Sequence, residues 1–433
     1  MLHMECSICT RLYVVFNSSS AEFTRERETR VWTRSLASTS ILLSLSLYFI
    51  SSLSTSSVLS LKDYSAMGGC LSRKTGVFSP EKDLMDLTGK VAIVTGGNTG
   101  IGYHTIKFLA RKGAKVYLGA RNEAKAMAAL AELEKEGIGR GQVEFLNVNF
   151  GDPRWARIAA EEFLKKESRL DILVNNAAQL TGQYEKSPDG GSHFAQPLSV
   201  RLDKSNTRHF GRHQYTDGDQ VSLLSLVSLP VSKSATSHFS PFVFTRTLLP
   251  LMTDTSRKPG SDVRIVTLGS VAHTQSQAKD PKIKFSELED FNHEYASDFY
   301  PDWSRYAVSK LANILFAREL QKKLDEAQIP ILSIPIHPGE VNTFADRLPW
   351  PFLANITMEL FFMRPEPGSY TSCFAAASPL VRNFPAKYKN AYLEPVGHVG
   401  DLSSNAKRDD LATDLWYTTE QLLEGMEIKI PPV

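Results

Sequence analysis

The sequence predicts an α/β protein, a doubly wound parallel sheet in a single domain. Three observations carry this expectation. From Leu87 onward, apolar runs of strand length recur, amphipathic stretches of helix length separate them, and the first strand runs directly into a glycine-rich turn. Strands alternating with helical patterns of about 10–15 residues build βαβ units. Right-handed crossovers then lay helices on both faces of the sheet.

Taken in order, "KVAIVT" is the first strand, and "GYHTIKFLARKG" is a helix closed by Gly113. "KVYLGA" is the second strand. "NEAKAMAALAELEKEG" is a helix with Ala and Leu on one face, ending at Gly137. "VEFLNV", "LDILVNNAA", "VRIVTLGS" and "IPILSIPIHPG" continue the strand series. Internal repeats are absent.

Composition narrows the class of protein. Of 433 residues, 42% are apolar, enough for an extensive core, and the net charge is +2 from 49 basic and 47 acidic residues. Such a balance leaves no electrostatic footprint for nucleic acid. The four cysteines are Cys6, Cys9, Cys70 and Cys373. Cys6 and Cys9 form a CxxC with no second pair and no surrounding βαβ pattern, so no metal site is expected. Few cysteines suit a reducing compartment and a cytoplasmic protein.

Residues 1–66 read differently from the rest, as an N-terminal extension. They hold the arginine-bearing "TRERETRVWTR" and then an uncharged, serine-rich run at 41–61. That run is long enough to cross a bilayer as a helix, but its serines dilute its hydrophobicity, and it starts too far in for a signal peptide. A disordered leader, an over-extended start and a membrane anchor giving membrane association through 41–61 all stay open. "MGGCLS" from Met67 fits the myristoylation pattern only if Met67 is the first residue. Residues 67–86 read as a linker, and 87–430 as the domain.

The glycine turn is "TGGNTGIG", with Gly96, Gly100 and Gly102 spaced GxxxGxG. Glycines after a first strand let the backbone turn tightly and approach a pyrophosphate, whose charge faces a helix N-terminus. An NAD-preferring site places an acid at the end of the second strand. This chain has "LGARN" there, with Arg121 and no acid. A guanidinium matches the oxygens of a 2′-phosphate, so NADP is the expected cofactor.

Further along, "SRYAVSKLANILFAREL" puts Tyr306 and Lys310 four residues apart, on one face of a helix. An ammonium beside a phenol favours the phenolate and lowers its pKa, so the pair can exchange a proton with an alcohol or carbonyl oxygen. Tyr103 and Lys107 repeat the spacing in "YHTIK", but no serine-bearing strand is paired with that copy, which reads as coincidence. "VRIVTLGSVAH" supplies one for Tyr306, ending at Ser270.

Together, "TGGNTGIG", "LGAR", "NNAA", "LGSVAH", "YAVSK" and "HPGEVNT" resemble, in order, the short-chain dehydrogenase/reductase family, whose domain is a Rossmann fold. The resemblance covers roughly Leu87 to Val399. The interval between Ser270 and Tyr306, with "SKLANILFAREL", looks most like the branch of retinol dehydrogenases and protochlorophyllide reductases. The resemblance implies Tyr306 as acid/base, Lys310 lowering its pKa and binding the nicotinamide ribose, and Ser270 orienting the substrate oxygen. It puts Thr95, Gly96, Asn98, Gly100, Ile101 and Gly102 around the pyrophosphate and Asn176 and Ala177 on the adenosine side. Pro338, Gly339 and Val341 fall at the nicotinamide, and Thr343 at a phosphate or the carboxamide. Asn149 stands where the family usually has an aspartate touching adenine, so that contact is altered. The apolar "LPWPFLANITMELFFM" implies a lipophilic alcohol or ketone as substrate.

The main departure follows "NNAA". The family's helix there carries an asparagine that completes a catalytic tetrad, and this chain has Ser237 in its place, after an insert at about 183–236. Long loops inside compact domains are suspect. Two functions are therefore expected in competition: an NADP-dependent oxidoreductase acting on a small-molecule carbonyl or alcohol, or a catalytically impaired NADP-binding sensor or interaction protein. Neither reading conflicts with a homo-oligomer.

Overall fold

The apolar runs become strands of one sheet. The computed structural model describes residues 78–178, 238–341 and 363–433, all within Gly76–Val433. After the one-turn α1 (Pro80–Asp83) come β1 (Val91–Thr95), α2 (Gly100–Arg111), β2 (Lys115–Ala120), α3 (Glu123–Glu136), β3 (Gln142–Asn147), α4 (Pro153–Lys166) and β4 (Ile172–Asn175). The second half holds α5 (Ser240–Ser256), β5 (Val263–Leu268), α6 (Pro301–Glu326), β6 (Ile331–Ile336), α7 (Pro365–Ala377), α8 (Pro379–Asn383) and α9 (Pro385–Tyr388). It ends with β7 (Leu393–Glu394), β8 (His398–Val399) and α10 (Asp409–Gly425).

The sheet runs β3-β2-β1-β4-β5-β6-β7-β8. Pairing is parallel through β7, and only β8 is antiparallel. This is the doubly wound parallel sheet that the sequence predicts. Strand order reverses between β1 and β4, so connections leave on opposite faces there and open a crevice at the carboxyl ends.

β1, β5 and β6 are buried along their whole length, as befits strands covered on both faces. Alternation divides their side chains between two apolar cores. Ile93 packs with Phe163, Phe244 and Leu311 of α4, α5 and α6. Val94 packs with Ile106, Leu133 and Phe374 of α2, α3 and α7. Wholly buried Arg264 on β5 pairs with Asp262 and donates to the carbonyls of Ala375 (3.0 Å) and Ser378 (2.9 Å). A cation thereby satisfies carbonyls left open at the C-terminus of α7.

Local signals set the helix ends. Asn122 accepts from the Lys125 amide (2.9 Å) to start α3, and Asp152 from the Arg154 amide (2.8 Å) to start α4. Gly113 and Gly137, at φ +97° and +84°, close α2 and α3 where the sequence places their ends. The second Tyr–Lys copy is a clamp between helices. Tyr103 donates to Glu136 (2.8 Å), and Lys107 bridges Glu136 and Glu366, both at 3.1 Å.

Two differences from the sequence reading stand out. The "LDILVNNAA" run yields a strand only over Ile172–Asn175, and residues 176–178 leave the sheet. The two-residue strands β7 and β8 were not anticipated, being too short to show an alternation. Residues 1–66, the insert at 183–236, Ser237, Thr343 and most of "LPWPFLANITMELFFM" lie outside the described residues. Among the described residues, no helix is long and apolar enough to cross a membrane, and no group of His, Cys, Asp and Glu could hold a metal ion.

Candidate active site

The carboxyl ends of β1 and β4 are stitched together by Thr95 and Asn176. The Thr95 hydroxyl donates to the Val174 carbonyl (3.3 Å) and accepts from the amides of Asn176 and Ala177, each at 3.1 Å. The Asn176 amide group donates to the carbonyls of Thr95 (2.8 Å) and Gly96 (3.2 Å). Asn176 is thus committed to holding the glycine turn, with Ala177 beside it.

The turn has room only for glycine. Gly96 and Gly100 adopt φ +66° and +60°. A Cβ on Gly102 would lie 2.4 Å from the Gly96 carbonyl oxygen. Gly97, which the GxxxGxG reading passed over, is also tightly packed, since its Cβ would meet Ile106 Cδ1 at 2.4 Å, though that side-chain end can give where the Gly96 carbonyl cannot. Ile101 and Gly102 are buried and Asn98 half-buried. The N-terminus of α2 has no side-chain cap and no acid in its first turn. A narrow backbone cradle before an uncapped, acid-free helix start fits a pyrophosphate. Gly102→Ala should cost about 1–3 kcal/mol of stability, because the colliding Gly96 carbonyl is backbone and the Asn176 amide, 2.7 Å from the same Cβ, is anchored to Thr95 and Gly96. A melting temperature and a cofactor affinity both equal to the parent's would contradict this close approach.

Arg121 follows β2 directly and is exposed. Gly119 pairs with Thr95 and accepts from the Gly97 amide (3.2 Å), so Arg121 stands beside the glycine turn. It makes no hydrogen bond or ion pair among the described residues. The Asn149 side chain accepts from the Gly151 amide (2.9 Å) and so shapes its own turn after β3.

The serine, tyrosine and lysine meet at the end of β5. Ser270 is the cap residue of a short 3₁₀ turn, Val271–Thr274, and its Oγ accepts from the Ala272 amide (3.2 Å). The Ser270 hydroxyl faces the Tyr306 phenol closely enough to favour its charged form. The Lys310 ammonium lies 5.6 Å from the Tyr306 ring centre and donates to the Leu268 carbonyl (2.9 Å). Asn313, which sequence reasoning missed, donates to the same oxygen at 3.2 Å.

One electrostatic expectation is corrected here. The Tyr306 phenol is pushed above its ordinary value by burial, with only the neighbouring Ser270 hydroxyl acting against it. Lys310 is itself desolvated, has no carboxylate partner, and is pushed down to about 8. Burial penalises both charged forms, and in this arrangement it outweighs the attraction inferred from spacing.

β6 supplies the remaining wall. Buried Pro338 follows His337, Gly339 turns at φ +96°, and Val341 bridges to Met363. A Cβ on Gly339 would meet Met363 Cε at 2.1 Å. Sequence reasoning gave no role to His273, His337 or Tyr392, which are all buried nearby. Burial pushes His337 down to about 4. His337 Nδ1 and the Tyr392 hydroxyl have no partner among the described residues.

Comparison with known proteins agrees with this architecture. Residues 90–191 match the short chain dehydrogenase family. A short-chain dehydrogenase/reductase from Armillaria gallica is 40% identical, over 79% of this chain and 96% of its own length. Another, from Colletotrichum higginsianum, is 34% identical over 78% of this chain and 76% of its own. Among solved structures, an uncharacterized protein from Mycobacterium Paratuberculosis superposes with a TM-score of 0.53 at 25% identity, covering 81% of this chain and 98% of that one. The chain belongs to the short-chain dehydrogenase/reductase family. It is an oxidoreductase of that family, which works with nicotinamide cofactors on small-molecule substrates.

Proposed function

We propose that this protein is an NADP-dependent oxidoreductase that interconverts a carbonyl and an alcohol on a lipophilic small molecule. Within the family, we place it in the retinol-dehydrogenase and protochlorophyllide-reductase-like branch, on the interval between Ser270 and Tyr306 and the run "SKLANILFAREL". The observation that carries the proposal is the meeting of Ser270, Tyr306 and Lys310 beside the switch-point crevice. Ser270 holds the substrate oxygen, and the Tyr306 phenol delivers a proton to it or takes one away. A phenol kept protonated by burial is suited to the delivering role. Lys310, anchored on the Leu268 carbonyl, would bind the nicotinamide ribose. The nicotinamide, when bound, exchanges a hydride with the neighbouring carbon.

Thr95, Gly96, Asn98, Gly100, Ile101 and Gly102 would hold the pyrophosphate, with Arg121 at the 2′-phosphate. Asn176 and Ala177 would flank the adenosine side, with the Asn149 contact to adenine altered; Pro338, Gly339 and Val341 would hold the nicotinamide, and Thr343 would meet a phosphate or the carboxamide. The working domain is 87–430, preceded by an extension and a linker. The test is turnover of NADPH with a panel of aldehydes and ketones, run beside NADPH binding followed by fluorescence. Binding without turnover of any carbonyl would favour the impaired sensor instead.

The insert gives this proposal a graded test. Ser237 occupies the place of a tetrad asparagine, and a hydroxyl reaches less far than an amide. Replacing 183–237 by a short link that ends in asparagine before His238 should raise turnover at least tenfold, about 1.4 kcal/mol of barrier. Unchanged turnover in a folded protein would assign the insert to the working site.

A further inference from the structure

We infer that His273 is a positioning residue: its imidazole, protonated on Nδ1 alone, fixes the Ser270 turn by bridging it to the loop at Ser403. The inference rests on the reading of Ser270 given above. Ser403 N–H can only donate, and it points at His273 Nε2 from 3.2 Å, so Nε2 carries no proton. His273 Nδ1 lies 2.7 Å from the Ser270 carbonyl, which can only accept, so Nδ1 carries one. Both nitrogens are thus engaged, and the tautomer is set by its partners rather than by solvent. The ring is 1% exposed and packs edge-on against Tyr392, at 5.1 Å between centres. Burial lowers the pKa of this imidazole, which keeps it neutral.

The bridge has a firm far end. Asn405 donates to the carbonyls of Ala278 (2.9 Å) and Asp280 (2.8 Å), and Ser403 Oγ accepts from the Ala406 amide (3.2 Å). Ser403 therefore sits on a turn pinned to the segment that follows Ser270. At the near end, the Ser270 carbonyl takes the imidazole proton and also the His273 backbone amide (3.2 Å). Its Oγ is held by the Ala272 amide at 3.2 Å. Fixing the carbonyl and the Oγ of one residue holds its hydroxyl in place on the turn beside Tyr306. A displacement of about 1 Å in such a group can cost on the order of a hundredfold in rate.

The test uses the full chain. ¹⁵N NMR of the histidine-labelled protein should show His273 neutral with its proton on Nδ1, and an Nε2–H tautomer or an imidazolium would overturn the bridge. In kinetics, His273→Phe keeps the ring packing and removes both hydrogen bonds. It should lower kcat on the order of tenfold or more with the KM for NADPH within about twofold. His273→Asn, which can still donate to the Ser270 carbonyl, should recover most of that loss. Equal kcat in parent and Phe variant, or a loss that Asn does not relieve in a protein of unchanged melting temperature, would refute positioning. If the parent turns over no carbonyl, the function proposed above fails, and the NMR result still decides the bridge.

Discussion

Tyr306→Phe should stop turnover while leaving NADPH binding almost intact. The substitution removes one hydroxyl and keeps the ring, which packs against Trp303 at 5.4 Å between centres. Lys310 is anchored on the Leu268 carbonyl and not on the phenol, so the cofactor side of the site keeps its geometry. Only the proton donor is lost. A positioned acid or base is worth about 10²–10⁴-fold, so kcat should fall by that much and the NADPH dissociation constant by little. Tyr103→Phe is the matched control. Tyr103 has the same spacing to a lysine, but its hydroxyl is bonded to Glu136 in a clamp between helices. It should leave the chemical step unchanged. Equal losses in the two variants would show that the Ser270–Tyr306 pair is not the proton-transfer site.

Arg121→Asp should reverse the cofactor preference from NADPH to NADH. Arg121 is exposed beside the glycine turn with no partner among the described residues, and no acid ends β2. Removing a charge-assisted hydrogen bond to phosphate costs about 1.5–3 kcal/mol, on the order of ten- to a hundredfold in affinity. The aspartate adds repulsion toward the 2′-phosphate and an acceptor for the ribose hydroxyls of NADH. The ratio of kcat/KM for the two cofactors measures this directly. A parent protein that uses both equally would contradict the role given to Arg121.

The fold was legible because its signals are local. Period-two and period-3.6 patterns mark the strands and helices, and Gly113 and Gly137 mark helix ends by backbone freedom. β7 and β8 escaped because two residues carry no period. Within the site, Ser270, Tyr306 and Lys310 could be named from motifs, and the structure brings them together. The direction of the Tyr306 shift could not be read, since it depends on how much chain covers the phenol and not on the residue four positions away. Asn176 shows the same limit. Its bonds to Thr95 and Gly96 join segments far apart in sequence. Gly97 left a signal in the doubled glycine, but its reason, the methyl of Ile106, is tertiary. His273 was visible at the end of "LGSVAH", yet its partner Ser403 lies in the C-terminal loop.

The most direct measurement follows the hydride itself. The protein is incubated with NADPH deuterated at the transferring carbon of the nicotinamide and with an aldehyde or ketone drawn from the panel, and the alcohol is weighed by mass spectrometry. The account predicts one deuterium on the former carbonyl carbon, formed by the parent protein and Tyr103→Phe but not by Tyr306→Phe. Tight NADPH binding with no labelled alcohol from any member of the panel would contradict it.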